Sequence, residues 1–254
     1  MFTPIDKAVV AGLGVAAGLG LAVGGYAYAA MWPGSRIFGR ALTAPPRPGE
    51  LALTFDDGPN PAWTPRLLDT LAAYNVRATF FMVGSYAEVQ VDLVQRIAAA
   101  GHLIGNHSWS HPNLAISSAK RIRDQLTWTQ DTLQQITGEP VRYFRPPFGG
   151  RRPAVFRIAR SLGLVPVLWN AITADWSQPS AEEIAHQMGQ KIDRHQHRGY
   201  ATNIVLHDGG HLYMAAYRAP SVAAAGLLLQ RYSATHRFVT LDAWNADVTP
   251  KNGQ

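Results

Sequence analysis

Beyond residue 50 the chain alternates short apolar runs with amphipathic stretches, and this rhythm restricts its folds more than any other feature. The apolar runs are Leu51–Phe55, Ala78–Met82, Leu103–Ile104, Tyr143–Arg145, Leu164–Trp169, Asn203–His207 and Phe238–Leu241. Between them, apolar residues recur at helical spacing over roughly 64–74, 86–100, 118–137, 153–162, 180–194 and 219–234. Gly101, Gly138 and Gly163 stand where helix C-caps are expected. Strand–helix alternation implies a mostly parallel sheet with helices on its faces. Seven strands with no long succession of strands point to a closed or nearly closed β/α barrel, with an open doubly wound sheet as the competitor. The polar residues favour the barrel. Asp56, Asp57, His107, Arg145 and His207 lie at or just past the C-terminal end of an expected strand, and Asp175 follows another by a short loop. In β/α barrels that end is the rim where loops assemble a site.

The 254 residues suffice for one substantial core, and 47% hydrophobic with 16% charged residues excludes a disordered or fibrous chain. With no cysteine, disulfides and thiolate ligands are excluded, so His and carboxylate must hold any metal. The net charge of +6 reads as a solvated basic surface. No nucleic-acid partner is expected, because no long Lys/Arg run or recognition motif is present. Such a surface also suits anionic lipid or an anionic wall polymer.

Residues 1–30 form an expected membrane anchor or signal segment. Ala8 to Ala30 is a 23-residue stretch without charge, long enough to span a bilayer. Ala27-Tyr28-Ala29 also reads as a small-x-small cleavage site, so a secreted form is the alternative. The uncleaved single-pass anchor is favoured, with the catalytic domain outside the cytoplasmic membrane. Residues 31–49 are expected as a Pro/Gly linker, 50–245 as the catalytic domain and 246–254 as a tail.

Two motifs carry the chemistry. Thr54-Phe55-Asp56-Asp57-Gly58-Pro59 sets two carboxylates after an apolar run, and His107-Ser108-Trp109-Ser110-His111-Pro112 sets two histidines four residues apart. One Asp with two His is an N/O donor set that suits zinc or a similar divalent ion, leaving the second Asp free to act as a base. Singly, each motif has a plain reading: a turn, a helix-face histidine pair, a rigid loop at Arg145–Gly149, a histidine closing a strand at Leu206-His207-Asp208. All of them in this order are harder to explain so.

In that order the residues closely resemble the NodB-homology polysaccharide deacetylases, carbohydrate esterase family 4, from about Leu51 to Leu241. Thr54–Pro59 matches TFDDGP, His107–Pro112 matches H-[ST]-x-x-H-P, and Arg145–Gly149 matches R-x-P-[FY]-G. Asp175-Trp176 and Leu206-His207 match the remaining two motifs. The resemblance implies a distorted (β/α)7 barrel and metal-dependent removal of acetyl groups from N-acetylated sugars. It implies that Asp57, His107 and His111 hold one divalent ion, zinc by expectation with cobalt as the alternative. Asp56 would be the general base, oriented by Arg145, and His207 the general acid, held by Asp175. The backbone N–H of Phe148 would receive the developing oxyanion, and Phe148, Pro147 and Trp176 would contact the sugar. Ile172 departs from the family pattern, which often has Asp there, and this affects substrate contacts more than catalysis. His102, His186, His195, His197, His211 and His236 are expected to be surface or structural, with His211 near the rim.

The expected substrates are N-acetylglucosamine units of peptidoglycan, chitin oligomers or a lipid-linked sugar. An O-acetyl xylan esterase would use the same residues, and a non-catalytic glycan-binding domain is a third reading. That last one predicts a missing ligand, base or acid, whereas all are present.

Overall fold

The computed structural model describes residues 23–177 and 179–245. Most of the expected anchor, residues 1–22, and the tail 246–254 lie outside the described residues. Residues 23–31 are helical and are called α1. Among the described residues no helix is long and apolar enough to cross a membrane.

The centre of the molecule is β1 (Glu50–Gly58), buried along its whole length. A strand covered on both faces needs apolar residues on each, and Leu51, Leu53 and Phe55 supply one face while Ala52 packs on the other. On one side β1 pairs in parallel with β2 (Thr79–Met82), followed by β3 (Leu103–Asn106), β4 (Tyr143–Phe144) and β5 (Val165–Pro166). On the other side stand β7 (Thr202–His207) and β6 (Ala171–Ile172). The short β8 (Arg237–Phe238) joins the beginning of β1. All pairings are parallel, because helices return the chain each time: α2 (Thr64–Ala73), α3 (Gly84–Val89), α4 (Val91–Ala99), α5 (Ala119–Thr137), α6 (Pro153–Ser161), α7 (Ala181–His197) and α8 (Ala219–Tyr232). A last turn, α9 (Asp242–Asn245), closes the described chain. The faces of these helices pack Leu67, Leu71, Ile97, Leu126, Phe156, Ile192 and Leu228 into one core with Phe55, Phe80 and Leu206. Burying each such side chain contributes about 1.5–3 kcal/mol.

The sheet is a half-barrel. The strand order runs β5-β4-β3-β2-β1-β7-β6, and β5 does not pair with β6, so the expected (β/α)7 barrel stays open at that seam. Seven strands were expected and eight are present among the described residues, the addition being the two-residue β6, too short to show a period.

The open seam receives a segment expected to be a linker. Leu42 bridges Val167 in parallel. Its N–H donates to Pro166 O at 2.7 Å, its carbonyl accepts from Leu168 N–H at 3.0 Å, and Pro45 O accepts from Ala201 N–H at 2.9 Å. Leu42 and Ala44 are buried there. Residues 42–45 thus complete the wall of the domain.

Candidate metal centre and active site

The site forms where β1, β3, β4 and β7 end. β1 bulges between Asp56 and Gly58, and Asp57 takes φ 69°, a left-handed value that side chains rarely adopt. The bulge breaks the ordinary alternation of strand side chains, so two consecutive carboxylates can serve one site. Both are buried.

His107 directly follows β3 and is fixed by its N–H to Met82 O at 2.9 Å. From there to His111 the chain is a loop, not the helix face that an i, i+4 pair suggests. Ser108 (φ 67°) and His111 (φ 54°) are both left-handed, and this double turn swings the second imidazole back beside the first. The loop is braced from outside: Ser108 O and Trp109 O each accept a backbone bond at 3.0 Å from Gly84 and Ser85. Of the five non-glycine residues with positive φ among the described residues, four (Asp57, Ser108, His111 and Phe148) line this one site. Strain of this kind persists only where surrounding structure enforces it.

Asp57 Oδ1 lies 3.4 Å from His107 Nε2 and 3.1 Å from His111 Nε2. The three donor atoms fall within 4.8 Å of one another. Ligands about 2 Å from a tetrahedral ion stand roughly 3.3 Å apart, so the spacing fits a shared divalent ion. Asp57 Oδ1 is moreover a buried atom that accepts no hydrogen bond. His107 Nδ1 is 2.7 Å from Arg145 O, which fixes the proton there and leaves the Nε2 lone pair facing Asp57. Burial and the neighbouring His107 push the His111 pKa down, only partly opposed by Asp57, which keeps its ring neutral and able to ligate. Burial would raise the Asp57 carboxyl, but the two imidazoles beside it hold it well below the usual carboxylate range. The residues fit the ion.

The second carboxylate faces a different partner. Arg145, fully buried after β4, donates from Nη1 to Asp56 Oδ1 and to Thr54 Oγ1, both at 2.7 Å. Its guanidinium lies 4.1 Å above the Phe81 ring. Burial lowers the Arg145 pKa and the Asp56 charge opposes this. Asp56 Oδ2 stays 3.9 Å from His107 Nε2, at the edge of the donor set.

Across the site, β7 places His207 opposite Asp56 in register. Its Nδ1 is 2.8 Å from Asp175 Oδ1, and its backbone N–H donates to Asp175 Oδ2 at 2.8 Å. Ser221 Oγ adds a third bond to that carboxylate at 2.7 Å. Burial alone would lower the His207 pKa; the Asp175 carboxylate outweighs it and lifts the value to about 9. Trp176 stands edge-on to His207 at 5.3 Å and is 48% exposed, so its other surface remains open. Phe148, 45% exposed, packs edge-on against His111 at 4.6 Å. Pro147, expected to contact substrate, is buried and accepts the Gly150 N–H at 2.8 Å, so it shapes the loop instead.

All ten residues singled out from the sequence therefore gather at one end of the sheet or in the loop that bounds it. Four more belong with them. Thr54 accepts from Arg145 and donates to Ile204 O at 2.6 Å, and Asn203 Oδ1 lies 3.4 Å from Arg145 Nη2. Both were detectable as polar residues inside apolar runs. Ser221 and Asp208 had no such signal. Asp208 is buried, accepts the Thr64 hydroxyl, and burial pushes its pKa up to about 7 against that bond. His211 is at the rim as expected, but it stacks on His111, with ring centroids 5.1 Å apart. His102 and His195 are structural, engaging Ala78 N–H and Asn170 O. Ile172 sits in β6 paired with Val205.

Comparison with known proteins agrees with this geometry. The polysaccharide deacetylase family profile matches residues 43–167. A peptidoglycan-N-acetylglucosamine deacetylase of Bacillus cereus is 40% identical over 148 residues, which are 58% of this chain and 54% of that protein. The chain thus spans about half the length of that relative. A chitooligosaccharide deacetylase of Azorhizobium caulinodans is 31% identical over 68% of this chain and 80% of its own length. The crystal structure of a peptidoglycan N-acetylglucosamine deacetylase superposes with a TM-score of 0.71 at 33% identity, covering 80% of this chain and 92% of that one.

Proposed function

The chain belongs to the polysaccharide deacetylase family, and from that premise we propose that it hydrolyses the N-acetyl group of N-acetylglucosamine-type sugars. The observation that carries this is the arrangement of two separately held proton carriers around one donor set. Asp56 is gripped by Arg145 on one side, and His207 by Asp175 on the other.

Asp57, His107 and His111 would hold one divalent ion, zinc by preference, with cobalt as the alternative. When bound, such an ion polarises the acetyl carbonyl and makes a water acidic enough to attack near neutral pH. The chain's own residues do the rest. Asp56 takes the proton from the attacking water, and Arg145 keeps its Oδ1 fixed so that Oδ2 faces the donors. The Phe148 N–H, which meets no protein acceptor among the described residues, would receive the carbonyl oxygen as charge develops. His207 then gives a proton to the sugar nitrogen as the C–N bond breaks, leaving acetate and a free amine. Asp175, itself held by Ser221, accepts the Nδ1 proton and favours the doubly protonated ring, whose Nε2–H stands on the other side. Trp176 and Phe148 flank the acetyl group and its sugar ring.

Candidate substrates are peptidoglycan, chitin oligomers and a lipid-linked sugar. An O-acetyl esterase on the same residues is separated by the demand on His207, since an alcohol leaves more readily than an amine. With matched N-acetyl and O-acetyl sugars, His207→Ala should slow amide cleavage about 100-fold or more and ester cleavage much less. Acetate release from the ester with none from the amide by the unaltered protein would overturn the N-deacetylase reading. The uncharged stretch Ala8–Ala30 supports placing the protein on the cell membrane with its catalytic domain outside the cytoplasm.

A further inference from the structure

Arg151 is fully buried and has no carboxylate partner among the described residues. A buried cation is costly unless oxygen atoms replace its water. Here they are backbone carbonyls from two distant parts of the chain. Nη1 donates to Gly149 O at 3.1 Å and lies 3.4 Å from Ala30 O. Nη2 donates to Trp32 O and lies 3.3 Å from Ser35 O. The Arg151 backbone N–H adds a bond to Ala30 O at 3.0 Å. Ala30 lies in the last turn of α1, where carbonyls lack intrahelical partners and carry partial negative charge, and Trp32 and Ser35 lie in the turn that follows, with Trp32 O also accepting the Ser35 N–H at 2.9 Å. The arginine therefore serves as a cap for α1 supplied from 120 residues away in rough sequence terms, as the separations of 116 to 121 positions show.

The other end of this clamp is the loop that carries Phe148. Phe148 and Gly149 are consecutive left-handed residues, φ 58° and 67°, so the loop must be held from outside. One face is pinned by Trp169, which would stand 3.0 Å from any Cβ on Gly149. The Gly149 carbonyl is held by Arg151. Residues 23–35 lie ahead of the family match at 43–167, yet the Arg151 side chain ties them to the active-site loop.

We propose that Arg151 is a positioning residue that locks loop 147–150 to the C-terminal end of α1, making the N-terminal segment a working part of the active site. It acts through Phe148, whose N–H faces the developing oxyanion, and touches no substrate itself. The kinetic consequence rests on the deacetylase reading; the mechanical one does not.

The test compares the full chain with Arg151→Met and Arg151→Lys, reading amide hydrogen exchange and steady-state kinetics. In Arg151→Met, exchange at residues 148–150 and 28–35 should accelerate together, about tenfold or more, while β1 and β7 keep their protection. kcat should fall about 10- to 100-fold with KM changed less than about threefold, short of the loss for removing an oxyanion donor outright. Arg151→Lys, a point charge that cannot bridge both sides, should be intermediate in both readouts. Unchanged exchange at 148–150 in Arg151→Met overturns the proposal, as does equal loss of kcat and protection across β1 and β7. If Arg151→Met does not fold, Arg151→Lys decides alone: wild-type exchange in both segments overturns the lock, and faster exchange confined to them supports it. Should the unaltered chain release no acetate, the functional reading fails while the exchange result still decides the lock.

Discussion

Asp56 and Asp57 are covalent neighbours that face different partners, and the proposed division of roles rests on that difference. Asp57 turns through the bulge toward two imidazoles, while Asp56 is tied to a buried guanidinium. Substitution should separate the roles. Asp57→Ala or His107→Ala should lose both the bound ion and activity, as metal analysis and acetate release would show. Asp56→Asn should retain the ion and lose about 10²- to 10⁴-fold in kcat; turnover at the unaltered rate would remove Asp56 as the base. At His207 the check is spectroscopic. The Asp175 carboxylate lifts its pKa to about 9, so the ring of the chelated protein should titrate there by NMR. In Asp175→Asn the titration should move down toward or below the ordinary value, since burial then acts unopposed.

At the scale of elements, the end of β1 and the turn after β7 are fitted to each other. A Cβ on Gly209 would lie 1.9 Å from Asp57 O, and one on Gly58 2.5 Å from Asp208 Oδ2. Gly209→Ala must therefore push against the backbone that shapes the bulge. Overpacking of this kind costs about 1–3 kcal/mol, a drop of several degrees in a thermal melt of a domain this size, together with weaker ion binding. An unchanged melt would mean that the bulge yields freely. Much of this level was legible in the sequence, because continuous apolar runs and helical spacing report burial directly: β1, β7 and α5 fall where the pattern puts them. Gly101, Gly138 and Gly163 all cap with φ between 73° and 75°. What escaped was non-local or too short. β6 has two residues, Leu42 fills a seam that only the closed sheet reveals, and the left-handed turns at Ser108 and His111 use residues with no such preference. The site residues were readable because their motifs are contiguous. Arg151 and Ser221 were not, since their partners lie far off in sequence.

For the whole molecule, several shifted groups make stability depend on pH once the ion is removed, and three of them lie at the site. His207, raised to about 9, favours the folded state fully below about pH 6.5, and that gain is lost as pH rises through about 9. Asp208, raised by burial to about 7, stays neutral in the fold while the unfolded carboxyl ionises near 4, so stability falls between those values. Asp57, held well below the usual range, adds stability that is lost only when pH falls through its lowered value. The chelated chain should thus be most stable in mildly acidic solution and decline toward pH 9. Urea melts at pH 5.5 and 9 would check this, and Asp208→Asn should flatten the part between about 4 and 7. The central claim is tested most directly by acetate release from N-acetylglucosamine oligomers, using the full chain with one equivalent of zinc, then with chelator, then with zinc restored. Release that stops on chelation and returns with the ion is predicted. Equal release throughout would contradict the account, as would none at all from a chain shown to hold one ion.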